Sequence, residues 1–197
     1  MKTLLTELRI SLVVTLLFAV LLCGAYPVAV WGAAQLLFPR QANGSLITDA
    51  DGTVRGSELL AQNFASDRTF HPRPSAAGTG YDAANSSGTN LGPTSQKLAD
   101  AIRDAVAAYR KENALADTVA VPADAVTSSG SGLDPHISVA NARLQAPRVS
   151  RARGLPLDQV QGLIDQCTDG RGYGVLGEPG VNVLRLNRAL DQTGRKP

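Results

Sequence analysis

The sequence predicts an α+β protein: a single N-terminal transmembrane helix followed by one extracytoplasmic α+β domain with long ordered loops. Three observations predict it. Charge is unevenly spread, with no Asp, Glu, Lys or Arg from Ile10 to Pro39. Beyond that stretch, three- and four-residue apolar spacings alternate with short hairpin and strand signals. The segment from Phe70 to Pro93, rich in Gly, Pro, Ser, Thr and Asn, follows neither period.

Composition narrows the function classes. The 197 residues allow one domain of ordinary size with an addition. Only 18% are charged, and the net charge of +2 leaves no basic surplus for a polyanion, so nucleic acid is excluded as a partner. Two cysteines and two histidines exclude a disulfide framework and a Cys- or His-based metal cage, and no metal site is expected.

The elements follow in order. Residues 1–9 form a short N-terminus carrying Lys2 and Arg9. Residues 10–31 are almost wholly apolar, and about 20 such residues cross a hydrocarbon core of roughly 30 Å as a helix. Tyr26 and Trp31 suit the headgroup level at its distal end, where Pro27 would begin the exit. A cleaved signal peptide would have a shorter apolar core, and a lipoprotein signal at Cys23 would place a small residue where Leu22 stands. The reading is therefore a retained anchor, with membrane lipid around it and the short N-terminus cytoplasmic. Gly24, Ala25 and Ala29 are small enough to let a partner helix approach.

Residues 32–43 read as a juxtamembrane linker, 44–191 as the extracytoplasmic domain and 192–197 as a tail. Ser45–Thr48 and Thr53–Arg55 read as a hairpin around the Asp51-Gly52 turn. Leu59, Leu60 and Phe64 suggest a short helix over 56–64. Phe70 to Pro93 is expected as loop, and its Phe70, His71, Arg73 and Tyr81 suggest an ordered one. Thr94 or Ser95 caps a helix through Leu98, Ile102, Val106 and Tyr109 to about Lys111. Val119–Val121 suggests a strand stopped by Pro122. Ser138 caps a helix expected to end near Gln145, before Pro147. Leu157–Cys167 suggests a helix, Val175-Leu176 a short strand, and Val183–Leu190 a closing helix.

Three patterns suggest chemistry. Ser131, Asp134 and His136 are the residue types of nucleophilic catalysis, but Ser129 and Leu133 stand where a nucleophile elbow needs Gly. A tight turn, or a nest of N–H groups, leading to Ser138 is the simpler reading, with a hydrolase as the alternative. Gly172-Tyr173-Gly174 matches a potassium-filter tripeptide, yet a filter needs four such loops on one axis. Arg143, Arg148, Arg151 and Arg153 lie in a stretch without acids, from Ile137 to Leu157. They read either as a solvated face or as an anion- or protein-binding surface. No Walker A sequence is present.

Longer motifs stand in fixed order: Phe70-His71-Pro72-Arg73-Pro74-Ser75, Tyr81-Asp82-Ala83, Ser87-Gly88-Thr89-Asn90-Leu91-Gly92-Pro93, Val121-Pro122, the run Thr127–Ser138, Gln145-Ala146-Pro147-Arg148-Val149 and Gly177-Glu178-Pro179-Gly180-Val181-Asn182-Val183-Leu184. With the single span, they resemble the C subunit of the Kdp-type potassium-transporting P-type ATPase. Thr89 and Arg185 depart from that pattern, where Ser and an acidic residue are usual.

The resemblance implies a non-catalytic subunit of a bacterial plasma-membrane potassium-uptake complex. Its partners would be an ATP-hydrolysing P-type subunit, a potassium-conducting multi-span subunit and a small single-span subunit. Potassium would be the transported ion, not one coordinated by this chain. No cofactor would be firmly bound, and ATP would act through the complex. A catalytic-chaperone role would place nucleotide contact at Gln145, with Arg148 as phosphate partner. The expected topology opposes this, because ATP is cytoplasmic and both residues fall on the outer side. The family motifs also single out Arg73, Pro74, Ser75, Tyr81, Asn90, Ser131, Gly132, Asp134, His136 and Asn182 as partner-contact or motif residues. The runner-up function is a membrane-anchored extracytoplasmic anion- or protein-binding module.

Overall fold

A computed structural model describes residues 2–49 and 51–194. Met1, Ala50 and residues 195–197 lie outside the described residues. The chain divides at Ile47/Thr48 into two units.

The first unit is helical. Helix α1 (Lys2–Val20) runs into a π turn (Leu21–Ala25), and helix α2 (Tyr26–Leu37) continues without a break. Within Thr3–Leu37 an 18-residue stretch has a mean hydropathy of 2.4, and the apolar side chains are exposed, as a membrane-crossing helix requires. Pro27 does not end the helix, contrary to the expectation above. It sits in the first turn of α2, just after the π turn, where the Tyr26 N–H reaches back to the Leu21 carbonyl. The wider turn absorbs the N–H that proline lacks. Gly24 and Ala25 lie in this π turn, and Ala29 lies in α2. The helix stops at Phe38, before Pro39, and a single turn α3 (Pro39–Ala42) follows.

The second unit is the α+β domain. Strand β1 (Leu46–Thr48) straddles the division and β2 (Val54–Ser57) lies within this unit; at the turn between them the Asp49 N–H donates to the Thr53 carbonyl at 2.9 Å. The helix expected over 56–64 is absent. Gly56 (φ +148°) belongs to β2, and Leu59 is 58% exposed, so Leu59, Leu60 and Phe64 share no inward face. The Ala61 N–H instead donates to the Leu133 carbonyl at 2.9 Å.

From residue 58 to Ser95 the chain is irregular, and Phe70 anchors it. Its ring is fully buried, and Asn187 clamps its backbone: the Phe70 N–H donates to Oδ1 at 2.8 Å and Nδ2 donates to the carbonyl at 3.0 Å. Helix α4 (Gln96–Asn113) starts at the Ser95 cap and ends at left-handed Ala114, with Arg110 and Lys111 in its last turn. No strand forms at 119–121. There Arg110 donates to the Val119 carbonyl at 3.0 Å, and Pro122 leads directly into α5 (Ala123–Val126).

Three very short strands escaped sequence reading. They are β3 (His136–Ser138), β4 (Thr168–Asp169) and β5 (Gly180–Asn182), antiparallel in the order β3-β5-β4, with His136 opposite Asn182 and Ile137 opposite Val181. Runs of two or three residues are too short to show alternation. Helices α6 (Val139–Arg153), α7 (Leu157–Gln166) and α8 (Val183–Gly194) supply most of the core with them. Val149, Val160, Ile164, Val181, Leu186 and Leu190 are fully buried there, and Cys167 is a buried free thiol whose pKa burial pushes up.

Helix α6 does not end before Pro147 but passes through it. An interior proline costs about 3 kcal/mol, which burial of Ala142, Ala146 and Val149 along α6 offsets. The helix begins as expected. The Ser138 hydroxyl accepts from the Asn141 N–H at 3.1 Å and donates to Asp124 at 2.8 Å. Ser138→Ala is therefore expected to lower stability by about 1–2 kcal/mol, read as a lower thermal midpoint by circular dichroism. An unchanged midpoint would count against this cap. Val175-Leu176 is not a strand: a lone bridge joins Gly172 to Leu176, and Val175 lies in the turn between them.

Candidate functional site

The polar residues singled out by sequence gather in two places within the domain. The first lies on α6. Gln145 is 1% exposed and Arg148 5% exposed. The Gln145 amide holds the backbone of His71, accepting from its N–H at 2.8 Å and donating to its carbonyl at 3.1 Å. The same amide donates to Asn141 Oδ1 at 2.9 Å and accepts from Arg148 at 2.9 Å.

Arg148 spreads its guanidinium under the irregular segment. Nη1 donates to the carbonyls of Asp67 at 2.8 Å and Thr69 at 3.1 Å, while Nε donates to Asn113 at 3.0 Å. Glu112 stands 3.7 Å from Nε and 2.7 Å from His71 Nδ1. Burial lowers the arginine's pKa and Glu112 pulls it back, so the group stays charged. Tyr109 donates to Asn141 Oδ1 at 2.8 Å, and burial, with Asp124 nearby, raises its phenol. A cavity of about 430 Å³ opens beside this cluster, bordered by His71, Pro74, Tyr81, Glu112 and Gln145.

The second place is a seam between two loops. The Ser75 hydroxyl donates to the Gly132 carbonyl at 2.6 Å and accepts from the Tyr81 N–H at 2.8 Å. The Tyr81 hydroxyl returns to the Arg73 carbonyl at 2.9 Å. Arg73 reaches Asp134 at 3.0 Å and the Ser128 carbonyl at 3.4 Å. The Ser131 carbonyl accepts from the Ser87 N–H at 3.0 Å. Asn90 lies exposed with φ +53°. Asn182 caps α8 by accepting from the Arg185 N–H at 3.1 Å and donates to the Glu58 carbonyl at 2.8 Å.

This geometry does not assemble a hydrolase. The Ser131 hydroxyl accepts from the Leu133 N–H at 3.1 Å, whereas His136 faces two carboxylates, Asp169 at 3.0 Å and Asp134 at 3.9 Å. Arg185, the departure from the family pattern, pairs with Asp169 at 2.8 Å. Burial alone would raise the Asp169 carboxyl, but His136 and Arg185 outweigh it and hold it below the usual range.

The four arginines do not form one patch either. Arg148 is buried, Arg143 pairs with Asp165 at 3.3 Å, Arg153 pairs with Asp191 at 2.8 Å, and Arg151 is exposed. Among the described residues, no cluster of His, Cys, Asp and Glu is arranged to hold a metal ion. Sequence reading missed Asn187, Asp124 and Glu112. Asn187 left one signal, a polar side chain among the apolar positions of the closing helix.

Fold and site together define a class: a membrane-anchored α+β domain whose polar motif residues mostly hold its own loops. The chain matches the family model described as KdpC: K+-transporting ATPase, c chain, over residues 8–192, and it belongs to that family. It is 56% identical over 186 residues to the potassium-transporting ATPase KdpC subunit of Mycobacterium tuberculosis (strain ATCC 25618 / H37Rv), covering 94% of this chain and 98% of that protein. It is 57% identical over 187 residues to the KdpC subunit of Caulobacter sp. (strain K31), covering 95% of this chain and 94% of the relative. The KdpC subunit of Caulobacter vibrioides (strain NA1000 / CB15N) is 58% identical over 187 residues, at 95% and 93% coverage.

Proposed function

We propose that this chain is the non-catalytic accessory subunit of an ATP-driven potassium-uptake complex. In this reading it assembles and stabilises an ATP-hydrolysing subunit, a potassium-conducting multi-span subunit and a small single-span subunit in the bacterial plasma membrane. Its N-terminus is cytoplasmic and its α+β domain extracytoplasmic. The observation that carries the proposal is the pairing of a membrane-length helix with a domain whose motif residues mostly hold its own loops. No reacting centre is built from Ser131, Asp134 and His136.

A rise in the ATP affinity of the hydrolysing subunit would then be transmitted through docking, not by nucleotide held on Gln145 and Arg148. Burial of both residues and their bonds to the 67–71 backbone support the indirect form. The test is a tag pull-down from native membranes in mild detergent, with mass spectrometry and potassium-stimulated ATP hydrolysis as readouts. Recovery of a P-type ATPase chain and a multi-span chain is expected, and recovery of this chain alone would overturn the reading.

The helix offers a separate expectation. A Cβ built on Gly24 meets nothing within 4 Å, so Gly24→Leu fits the chain itself. If Gly24, Ala25 and Ala29 face a partner helix, that substitution lowers co-purification by roughly threefold to tenfold. Unchanged recovery would remove this face from the interface.

A further inference from the structure

The uncharged stretch Gly172–Gly177, which contains the filter-like tripeptide, is a hydrogen-bonded hairpin tip whose large side chains stay out of the domain's core. Tyr173 is 96% exposed, Val175 72% and Leu176 62%, above the other large apolar side chains of the α+β domain. The tip is preorganised. Gly172 and Leu176 exchange both backbone hydrogen bonds, at 2.8 and 2.9 Å. Tyr173, Gly174 and Gly177 hold left-handed backbone, at φ +51°, +79° and +77°. At the base, Arg171 grips both carboxylate oxygens of Glu178, at 2.9 and 2.7 Å.

We propose that the 171–178 hairpin is a docking finger whose tip enters an apolar cleft on another chain of the same ATPase, on the side of the membrane that holds this domain. The proposal rests on the accessory-subunit reading. Two other occupants fit less well. A second copy meeting tip to tip would bury only on the order of 400 Å² per side, about half of what a stable dimer needs. A lipid surface would call on free cations beside the apolar tip, but Arg171 is committed to Glu178, whose exposed carboxylate repels anionic headgroups. A neutral cleft needs no counter-charge. A tyrosine on preformed backbone supplies a binding anchor with little ordering entropy to lose. The same small area makes the finger one anchor within a larger contact, its encounter aided by the shared membrane.

The test uses the full chain in its complex, isolated from native membranes in mild detergent. A photocrosslinking phenylalanine analogue is placed at position 173 and, as reference, at exposed position 103 on α4. The expected result is a crosslink from 173, but not 103, to a chain identified as another subunit of the ATPase. The Tyr173→Ser/Leu176→Ser double variant, compared at equal membrane abundance, should recover partner chains about tenfold less well. Tyr173→Phe should recover them fully. Full recovery by the double variant would overturn the finger, as would crosslinks from 173 to lipid alone, to a second copy or to nothing, while wild-type recovery of partners leaves the subunit reading standing. A wild-type chain that recovers no ATPase chain would overturn the subunit reading and the finger with it.

Discussion

Arg148→Met is expected to destabilise the α+β domain by about 3–5 kcal/mol, a cost typical of breaking a buried, fully bonded charge site. Methionine fills much of the volume but supplies no donors. The carbonyls of Asp67 and Thr69, Asn113 Oδ1 and one bond to Gln145 Oε1 would lose their partner together. Glu112 would lose a cation at 3.7 Å. Arg148→Lys should rescue little, because one ammonium cannot span these acceptors as a planar fork does. The measurement is thermal unfolding of the full chain in detergent micelles, with hydrogen exchange of amides 66–71. Faster exchange there and a large fall in the midpoint are expected. If the Met variant keeps its stability and changes only the ATP response of the complex, Arg148 is a phosphate ligand and the internal-pin account is wrong.

The contrast between pin and ligand also marks where sequence reading reaches its limit. The resemblance implies nucleotide recognition at Gln145 and Arg148, and the sequence puts Gln145 at the end of a helix and Arg148 beyond Pro147, whereas both lie on α6. Whether the helix turns them inward or outward depends on what packs against it. That partner is the backbone around Phe70, more than 70 positions earlier, in a segment with no period to read. Long amphipathic runs were legible for the opposite reason. Leu98, Ile102 and Tyr109 lie one or two turns apart, so a local pattern suffices. The helix expected at 56–64 failed because three apolar residues do not make a buried face when one of them points to solvent. Pro147 misled for a related reason: a local breaker signal lost to the burial of Ala142, Ala146 and Val149. Strands β3, β4 and β5 are held by one another, not by local preference, and no window along the chain contains all three.

Gly132→Ala tests the loop seam, the other part of the site that depends on distant chain, and its expected cost is again about 3–5 kcal/mol. Gly132 holds φ +68°, where a Cβ alone costs about 1–2 kcal/mol. Steric overlap adds the greater part. A Cβ there would stand 2.6 Å from the Ser87 carbonyl oxygen, 2.7 Å from the Ala77 nitrogen and 2.9 Å from the Ala77 Cβ. None of these atoms can rotate away, so the 75–88 and 128–134 loops must part. Parting breaks the Ser75 bond to the Gly132 carbonyl and the Ser87 bond to the Ser131 carbonyl. Tyr81 and Pro74, which border the cavity beside Gln145, are carried on the same loop. Gly130→Ala is the matched control, since a Cβ there meets nothing within 4 Å, and it should change stability by no more than about 0.5 kcal/mol. Limited proteolysis of the 75–88 loop, read beside the thermal midpoint, separates the two variants. Rapid cleavage is expected for Gly132→Ala alone. Equal resistance in both would mean that the seam gives way without cost, and that the Ser75–Gly132 contact does not set the shape of the cavity wall.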